Sequence, residues 1–567
     1  MRIFNVCTSC VVLLLALAQA TSGQDKLAPN QTVARDLEAG KTHAYPVTLD
    51  DGDYVSAWIT QHGKVNVIIL NPGGSLNRRF LGPSGDAKNP FAFVAEGAGA
   101  YSINITNPGE QTAKYELLLE KVLSLNERLQ VEPSTERYSS PRIQSLRSQL
   151  ASGQANTESF WKEIAEHGTP LVEPFGSDGK YQLVTFLWRS QHETRNVLVR
   201  GSFEGPASPS DLALHRIGNS DVWYLTVKLP SGARFSYQLS PNDPMIFRSP
   251  RAAQHRATAQ ADPLNPRRVD CPAGAAKFRC ESAAELPGAP TQSWSITKPG
   301  APEGRIEKHS IKSEIQKLER EFSVYTPPDY KADGPPYVLL VLFDGDEYLS
   351  SDMQAQTTLN NLIAAKRIPP TVAVLVENVP NRRLVDLVAN PEFSDFMATE
   401  LVPWVRAHYN VSKEAARTVV GGYSAGGLAA AYEGLRHAEV FGNVLSQSGA
   451  FWWSPEHHGG VCGARCPESG GRTTDDSRDA TTEGNFIVKQ YIASPKLSVR
   501  FYLEAGTFEI DRYGNGGDIL ETTRNLRDVL LAKGYEVHYQ QFTGGHDGLS
   551  WRGTLADGLM ALLGTHP

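Results

Sequence analysis

Past Gly304 the chain reads as short, nearly continuous apolar runs separated by helix-forming stretches. The runs are EREFSVYTP, YVLLVLF, TVAVLV, RTVVGG, GNVLSQS, LSVRFYLEAG and EVHYQQF, and the helical stretches include EFSDFMATELVPWVRAHY and GDILETTRNLRDVLLAKG. A strand that is apolar on both faces must be covered on both faces, and intervening helices supply that cover. Residues 304–567 are therefore expected to form a mainly parallel sheet with helices on both faces. Ligands of such sheets bind beyond the carboxyl ends of the strands.

One strand end carries chemistry. In RTVVGGYSAGGLAAAYEGL, Arg417 to Leu435, a β-branched run ends in the G-x-S-x-G of Gly422 to Gly426, and an alanine-rich helix follows. Strand before and helix after is the context of a nucleophile elbow, a turn too tight for side chains that lifts the serine clear of the sheet. Ser424 is the candidate nucleophile. A hydroxyl needs a base, and GGHDGLSWRG places His546 just past the last strand, in the α/β-hydrolase order of serine, acid, histidine. The acid is expected after the preceding strand. There FYLEAGTFEIDRYG offers Glu509, three residues past Gly506, as first choice and Asp511 as second, while Glu504, still on the strand, reads as structural. The acid's task is to hold the imidazole tautomer and stabilise the imidazolium. The oxyanion needs two backbone N–H donors. Ala425 follows the nucleophile, and the DGDEY loop after YVLLVLF supplies Gly345 or Asp346.

The rest of the 567-residue chain reads as appended modules. Residues 1–20 hold an early Arg2, an apolar run from Val11 to Leu17 and Ala18-Gln19-Ala20, which is a signal peptide with its cut after Ala20. No run of about 18 apolar residues follows, so no membrane span is expected after signal removal, and the location is periplasmic or secreted. Residues 25–122 alternate apolar and polar positions between Asp-Gly, Pro-Gly and Asn-Pro turns, a β-sandwich similar to the pre-peptidase-type domains of secreted enzymes. Residues 123–170 are a helical linker. Residues 171–303, with YQLVTFLWRS, TRNVLVRGSF, DVWYLTVKL and RFSYQLS, form an immunoglobulin-like sandwich. The fold expected is thus an α/β-hydrolase preceded by two β-sandwich domains.

A net charge of −7 leaves no basic footprint for nucleic acid. Of six cysteines, Cys7 and Cys10 leave with the signal, and Cys271/Cys280 and Cys462/Cys466 are close pairs that read as local disulfides in an oxidising compartment. His457 and His458 beside the second pair make zinc its rival. Adjacent histidines seldom both face one metal, so no metal site is assigned. Ester cleavage through serine needs no cofactor.

The stretches SAGGLAAAYEGLRHAEVFGNVLSQSGAFWWSP and GGHDGLSWRG resemble the enterochelin (enterobactin) esterases, the Fes type of the esterase D group. Upstream, NSDVWYLTVKL, ADPLNP and FWKEIAEHG are similar to that family's N-terminal sandwich, so the resemblance spans about residues 160–563. It implies an α/β-hydrolase that cleaves the serine–serine esters of tri-catecholate siderophores, a small-molecule partner. It matches Ser424, His546 and Glu509 to the triad. Trp452 and Trp453 match an aromatic edge, Arg383 a substrate-side arginine, and Trp551 and Arg552 positions able to meet an anionic catecholate complex. The chain departs from cytoplasmic members in its export signal and in a long polar insert after Trp453. The alternatives are a feruloyl- or acetyl-type carbohydrate esterase on the same scaffold, and a non-catalytic binding protein.

Overall fold

A computed structural model describes residues 27–82, 86–128, 130–153, 156–204, 207–245, 257–269, 271, 280–380, 382–455, 485–510 and 518–564. The signal segment, Asp511, and the His457, His458, Cys462 and Cys466 group lie outside the described residues. The chain divides into two compact units between Glu127 and Arg128.

In the first unit, two four-stranded antiparallel sheets face each other. One orders Gln31–Leu37, Ala113–Leu123, Tyr54–His62 and Ala87–Val94, and the other Thr42–Leu49, Gly99–Thr106, Asn66–Leu70 and Leu76–Leu81. Alternation decides what they bury: Val67 and Ile69 of one sheet and Val55, Ala57 and Ile59 of the other share one core, with Phe91, Phe93, Ile103 and Leu117.

The second unit opens with a second sandwich. His215–Arg216, Val222–Pro230, Tyr181–Arg189 and Leu171–Phe175 form one sheet; Val197–Gly201, Arg234–Pro241, Glu281–Glu285 and Arg268–Val269 form the other. Phe186, Phe203, Phe235 and Tyr237 meet between them, with ring centroids 4.9–6.4 Å apart. The linker helix Thr157–His167 docks Phe160, Trp161 and Ile164 on Leu187, Val222 and Tyr224. Cys271 and Cys280 are disulfide-bonded.

The remaining sheet has eight strands, labelled in chain order β1 (Arg305–Ser313), β2 (Leu318–Thr326), β3 (Val338–Phe343), β4 (Thr371–Val376), β5 (Thr418–Tyr423), β6 (Asn443–Gln447), β7 (Arg500–Gly506) and β8 (Glu536–Phe542). Their order is β1-β2-β4-β3-β5-β6-β7-β8. Neighbours from β4 onward are parallel, and β1 and β2 run antiparallel at the edge. This is the α/β-hydrolase arrangement expected. β1 was not anticipated, because RIEKHSIKS is an edge strand with alternate residues in solvent and has no continuous apolar run. The predicted helix EFSDFMATELVPWVRAHY carries a π-turn at Met397–Leu401 between Pro391–Phe396 and Val402–His408. Pro403 has no N–H for the ordinary ladder, which accounts for the turn.

The helix Ala425–Arg436 packs against β5 and β6 so closely that a Cβ on Gly434 would stand 2.6 Å from Val444 Cγ2. It also buries Glu433, whose carboxyl accepts the Ser394 hydroxyl at 2.9 Å and is pushed up to about 8 by burial. The folded chain therefore keeps this proton while an unfolded chain loses it above the ordinary glutamate range. Stability must fall as pH rises from about 4.5 to about 8, by about 3 kcal/mol from this site at pH 7. Glu433→Gln removes that fall. In thermal melts between pH 5 and pH 8 the variant's advantage over wild type should grow with pH; a pH-independent difference would contradict the assignment.

Candidate active site

β5 ends at Tyr423 and the next helix starts at Ala425, so Ser424 alone makes the turn, at φ 56° and ψ −120°. A non-glycine residue in such a conformation costs roughly 1–3 kcal/mol and persists only where its surroundings enforce it. Here Ser424 N–H donates to Gln447 O at 2.9 Å, and Ser424 O accepts Ala450 N–H at 2.9 Å. The glycines allow the approach. A Cβ on Gly422 would stand 2.7 Å from Gly426 C, and one on Gly427 would stand 2.5 Å from Ser446 Oγ.

His546 Nε2 lies 2.9 Å from Ser424 Oγ, and its Nδ1 lies 2.6 Å from Glu509 Oε1. The partners assign the protons: Nδ1–H donates to the carboxylate and Nε2 accepts the serine proton. Glu509 is fully buried, and its other oxygen accepts Gly506 N–H at 2.6 Å. Three side chains separated by 37 and 122 positions thus form one chain of hydrogen bonds at the carboxyl ends of β5, β7 and β8.

Glu504 lies behind the triad and is not part of it. It is buried on β7 and accepts Gln447 Nε2 at 3.1 Å, Thr554 Oγ1 at 2.5 Å and Tyr502 Oη at 2.7 Å. Burial pushes it up to about 7. Gln447, whose carbonyl holds the Ser424 turn, takes Tyr348 Oη on its side-chain oxygen at 2.8 Å. The network holds the floor of the site from β6, β7 and the last helix.

The expected oxyanion donors stand at two helix starts. Ala425 opens Ala425–Arg436 and Gly345 opens Gly345–Tyr348, where first-turn N–H groups have no intrahelical acceptor. Asp346 is the next residue and is exposed. Asp344 precedes them in the left-handed region at φ 55° and is buried. Arg383 clasps it with two bonds of 2.5 and 2.7 Å, and Asn378 adds a third at 2.6 Å. Although burial opposes the guanidinium charge, Asp344 holds Arg383 above the ordinary arginine value.

The residues expected at the substrate have the following partners within the chain. Arg383 is bonded to Asp344, so its fork holds the loop that carries Gly345 and Asp346. Arg552 donates to Gln292 Oε1 at 2.6 Å and lies 4.0 Å from Glu285. Trp452 is buried in the core beneath the site. Trp551 is buried too: it stacks on Tyr423 at 4.4 Å, meets the His546 ring edge-on at 4.7 Å and donates to Ser448 Oγ at 3.0 Å. It walls the imidazole and offers no open stacking face. Trp453 is half-buried, edge-on to Phe486 at 5.7 Å. Gln447 escaped sequence reasoning, and so did the clasp of Arg383 on Asp344, since these partners lie far apart in the chain and leave no local pattern.

Comparison with known proteins agrees with this architecture. Residues 183–295 match the family model described as "Enterochelin esterase, N-terminal", and residues 313–562 match the one described as "Putative esterase". The chain is 31% identical to the iron(III) enterobactin esterase of Escherichia coli K12 over 427 residues, covering 72% of this chain and 96% of that protein. It is 29% identical to the iron(III) salmochelin esterase of Escherichia coli O6:H1, over 74% of this chain and 98% of that one. The crystal structure of the enterobactin esterase Fes from Shigella flexneri in the presence of enterobactin superposes with a TM-score of 0.55 at 30% identity, covering 72% of this chain and 98% of that chain. The ferric enterobactin esterase of Salmonella typhimurium gives 0.56 at 28% identity, covering 71% and 98%. Matched along nearly the whole length of these proteins, the chain belongs to the enterobactin esterase family of carboxylic-ester hydrolases.

Proposed function

We propose that this protein hydrolyses the ester bonds of a catecholate siderophore, an enterobactin-like trilactone or its ferric complex, through an acyl-enzyme on Ser424. The observation that carries the reading is the Glu509–His546–Ser424 hydrogen-bond chain, at 2.6 and 2.9 Å. His546 Nε2 takes the hydroxyl proton as Ser424 Oγ attacks the ester carbonyl. The tetrahedral oxyanion is held by the N–H groups of Ala425 and of Gly345, with Asp346 beside it. Collapse breaks the ester bond, and His546 returns the proton to the departing seryl oxygen. Water, deprotonated by the same imidazole, then attacks the acyl-enzyme and regenerates Ser424. Iron enters this scheme only as part of the substrate. Trp453 is the aromatic residue assigned to a catechol ring, because Trp452 and Trp551 are spent on packing.

Turnover of enterobactin and of its iron complex, with products separated by chromatography, tests mechanism and substrate together. Wild type should release linear dihydroxybenzoyl-serine products. Ser424→Ala and His546→Ala should lower kcat by about 10⁴-fold or more, and Glu509→Gln by about 10⁴-fold, since it leaves the ring in the wrong tautomer. If wild type leaves enterobactin intact yet cleaves p-nitrophenyl acetate or a feruloyl sugar in a Ser424-dependent way, the siderophore reading fails and the serine mechanism stands.

The oxyanion assignment has its own variant. A Cβ on Gly345 would stand 2.4 Å from Leu375 C, so Gly345→Ala must displace the donor loop. We expect a fall in kcat of about 10²–10³ with KM little changed. An undiminished kcat would move the second donor elsewhere.

Export is also part of the proposal. Among the described residues no helix is long and apolar enough to cross a membrane. The periplasmic or secreted protein should begin at Thr21 when its intact mass is measured; a full-length cytoplasmic species would contradict export.

A further inference from the structure

The second sandwich touches both loops that carry the His546 and Glu509 side chains. Arg234 N–H donates to Thr543 O at 3.0 Å, which pairs the sandwich strand Arg234–Pro241 with the start of the His546 loop. The approach is close: a Cβ on Gly545 would stand 1.7 Å from Ser202 O, and one on Gly544 would stand 2.8 Å from Arg234 O. Only glycines allow sandwich backbone to lie on this loop. Asp547, immediately after His546, is half-buried and turns one carboxylate oxygen to the sandwich, where it accepts the Ser202 hydroxyl and, at 3.0 Å, Ser236 N–H. Its other oxygen accepts Ser550 N–H at 3.0 Å and caps the last helix, Gly548–Leu563. On the acid loop, Phe508, immediately before Glu509, is half-buried and packs against the sandwich core that contains Phe186, Phe203 and Phe235. Phe508 N–H also donates to Gly544 O at 3.0 Å, tying the two loops together.

Each triad member outside the elbow therefore has a neighbour in the chain anchored in the sandwich. We propose that Asp547 is a positioning residue of the triad, that its latch to Ser202 and Ser236 holds His546 in register with Ser424, and that the sandwich thereby belongs to the catalytic machinery. The inference rests on the reading of His546 as general base. The two carboxylate oxygens of Asp547 have separable tasks: Ser202→Ala removes a donor to the latch oxygen and leaves the cap on Ser550 untouched. Misplacing a catalytic group by about 1 Å costs up to about 10²-fold in rate, and loosening one of two latch bonds should cost less.

The test uses the full chain and p-nitrophenyl acetate, a substrate too small to need the sandwich for binding. Rates are expressed per active site, counted by fluorophosphonate labelling of Ser424. We expect Ser202→Ala to lower kcat about tenfold with KM within twofold of wild type. The downfield proton resonance of the His546–Glu509 hydrogen bond should shift or broaden. Asp547→Asn should lower kcat further, and adding Ser202→Ala to it should change little more, because two residues that act through one contact are non-additive. A kcat per active site within twofold of wild type in Ser202→Ala, a change confined to KM, or additive losses in the double variant would each overturn the proposal. Ser424→Ala and His546→Ala run alongside: turnover surviving in either would overturn the triad reading itself, and the latch with it.

Discussion

The backbone at Ser424 is the constraint on which the rest of the second unit depends. A left-handed φ at a serine is unfavourable alone, and it is held because the end of strand β6 supplies an acceptor, Gln447 O, and the loop after it supplies a donor, Ala450 N–H. Those bonds require β5, β6 and the following helix to meet without side chains between them, which Gly422 and Gly427 permit. Gln447 must in turn be fixed, and Tyr348, Glu504 and Thr554 do so. The reactive hydroxyl is thus the end of a chain of support that reaches through the sheet into the last helix.

Three carboxyl groups are buried around this point and a fourth, that of Asp547, is half-buried, and each is compensated in a different way. Glu509 faces an imidazole, Asp344 faces a guanidinium, and Glu504 is surrounded by hydroxyl and amide donors. Asp547 takes hydroxyl and backbone donors from the sandwich and the last helix, and burial raises it above the ordinary aspartate value. A buried carboxyl without such partners would cost several kcal/mol, so each partner set marks a position where the fold is tightly specified. Glu509 is the one whose partner also touches the nucleophile, which is why its burial has a chemical consequence and that of Glu504 a structural one.

What was legible in the sequence is what local pattern encodes. The apolar runs from β2 to β8 announce themselves by continuity, and the elbow announces itself by glycine spacing between a strand and a helix. His546 and Glu509 were legible from chain order, because loops after successive parallel strands converge on one edge of the sheet. Pairings across long separations were illegible. Ser202 meets Asp547 across 345 positions and Arg383 meets Asp344 across 39, and neither contact leaves a spacing signal. The same blindness hides intramolecular partners: Arg383, Arg552 and Trp551 look free in one dimension and have partners in three.

The central claim is covalent: an acyl group passes through Ser424. The most direct measurement is peptide mass spectrometry on enzyme quenched with acid during turnover of enterobactin. The account predicts a linear dihydroxybenzoyl-serine chain esterified to the peptide that carries Ser424, the full trimer after ring opening and shorter chains as linear products are cleaved, absent when product has cleared and absent in His546→Ala. Accumulating product with the adduct on another residue, or an adduct that forms equally well without His546, would contradict it.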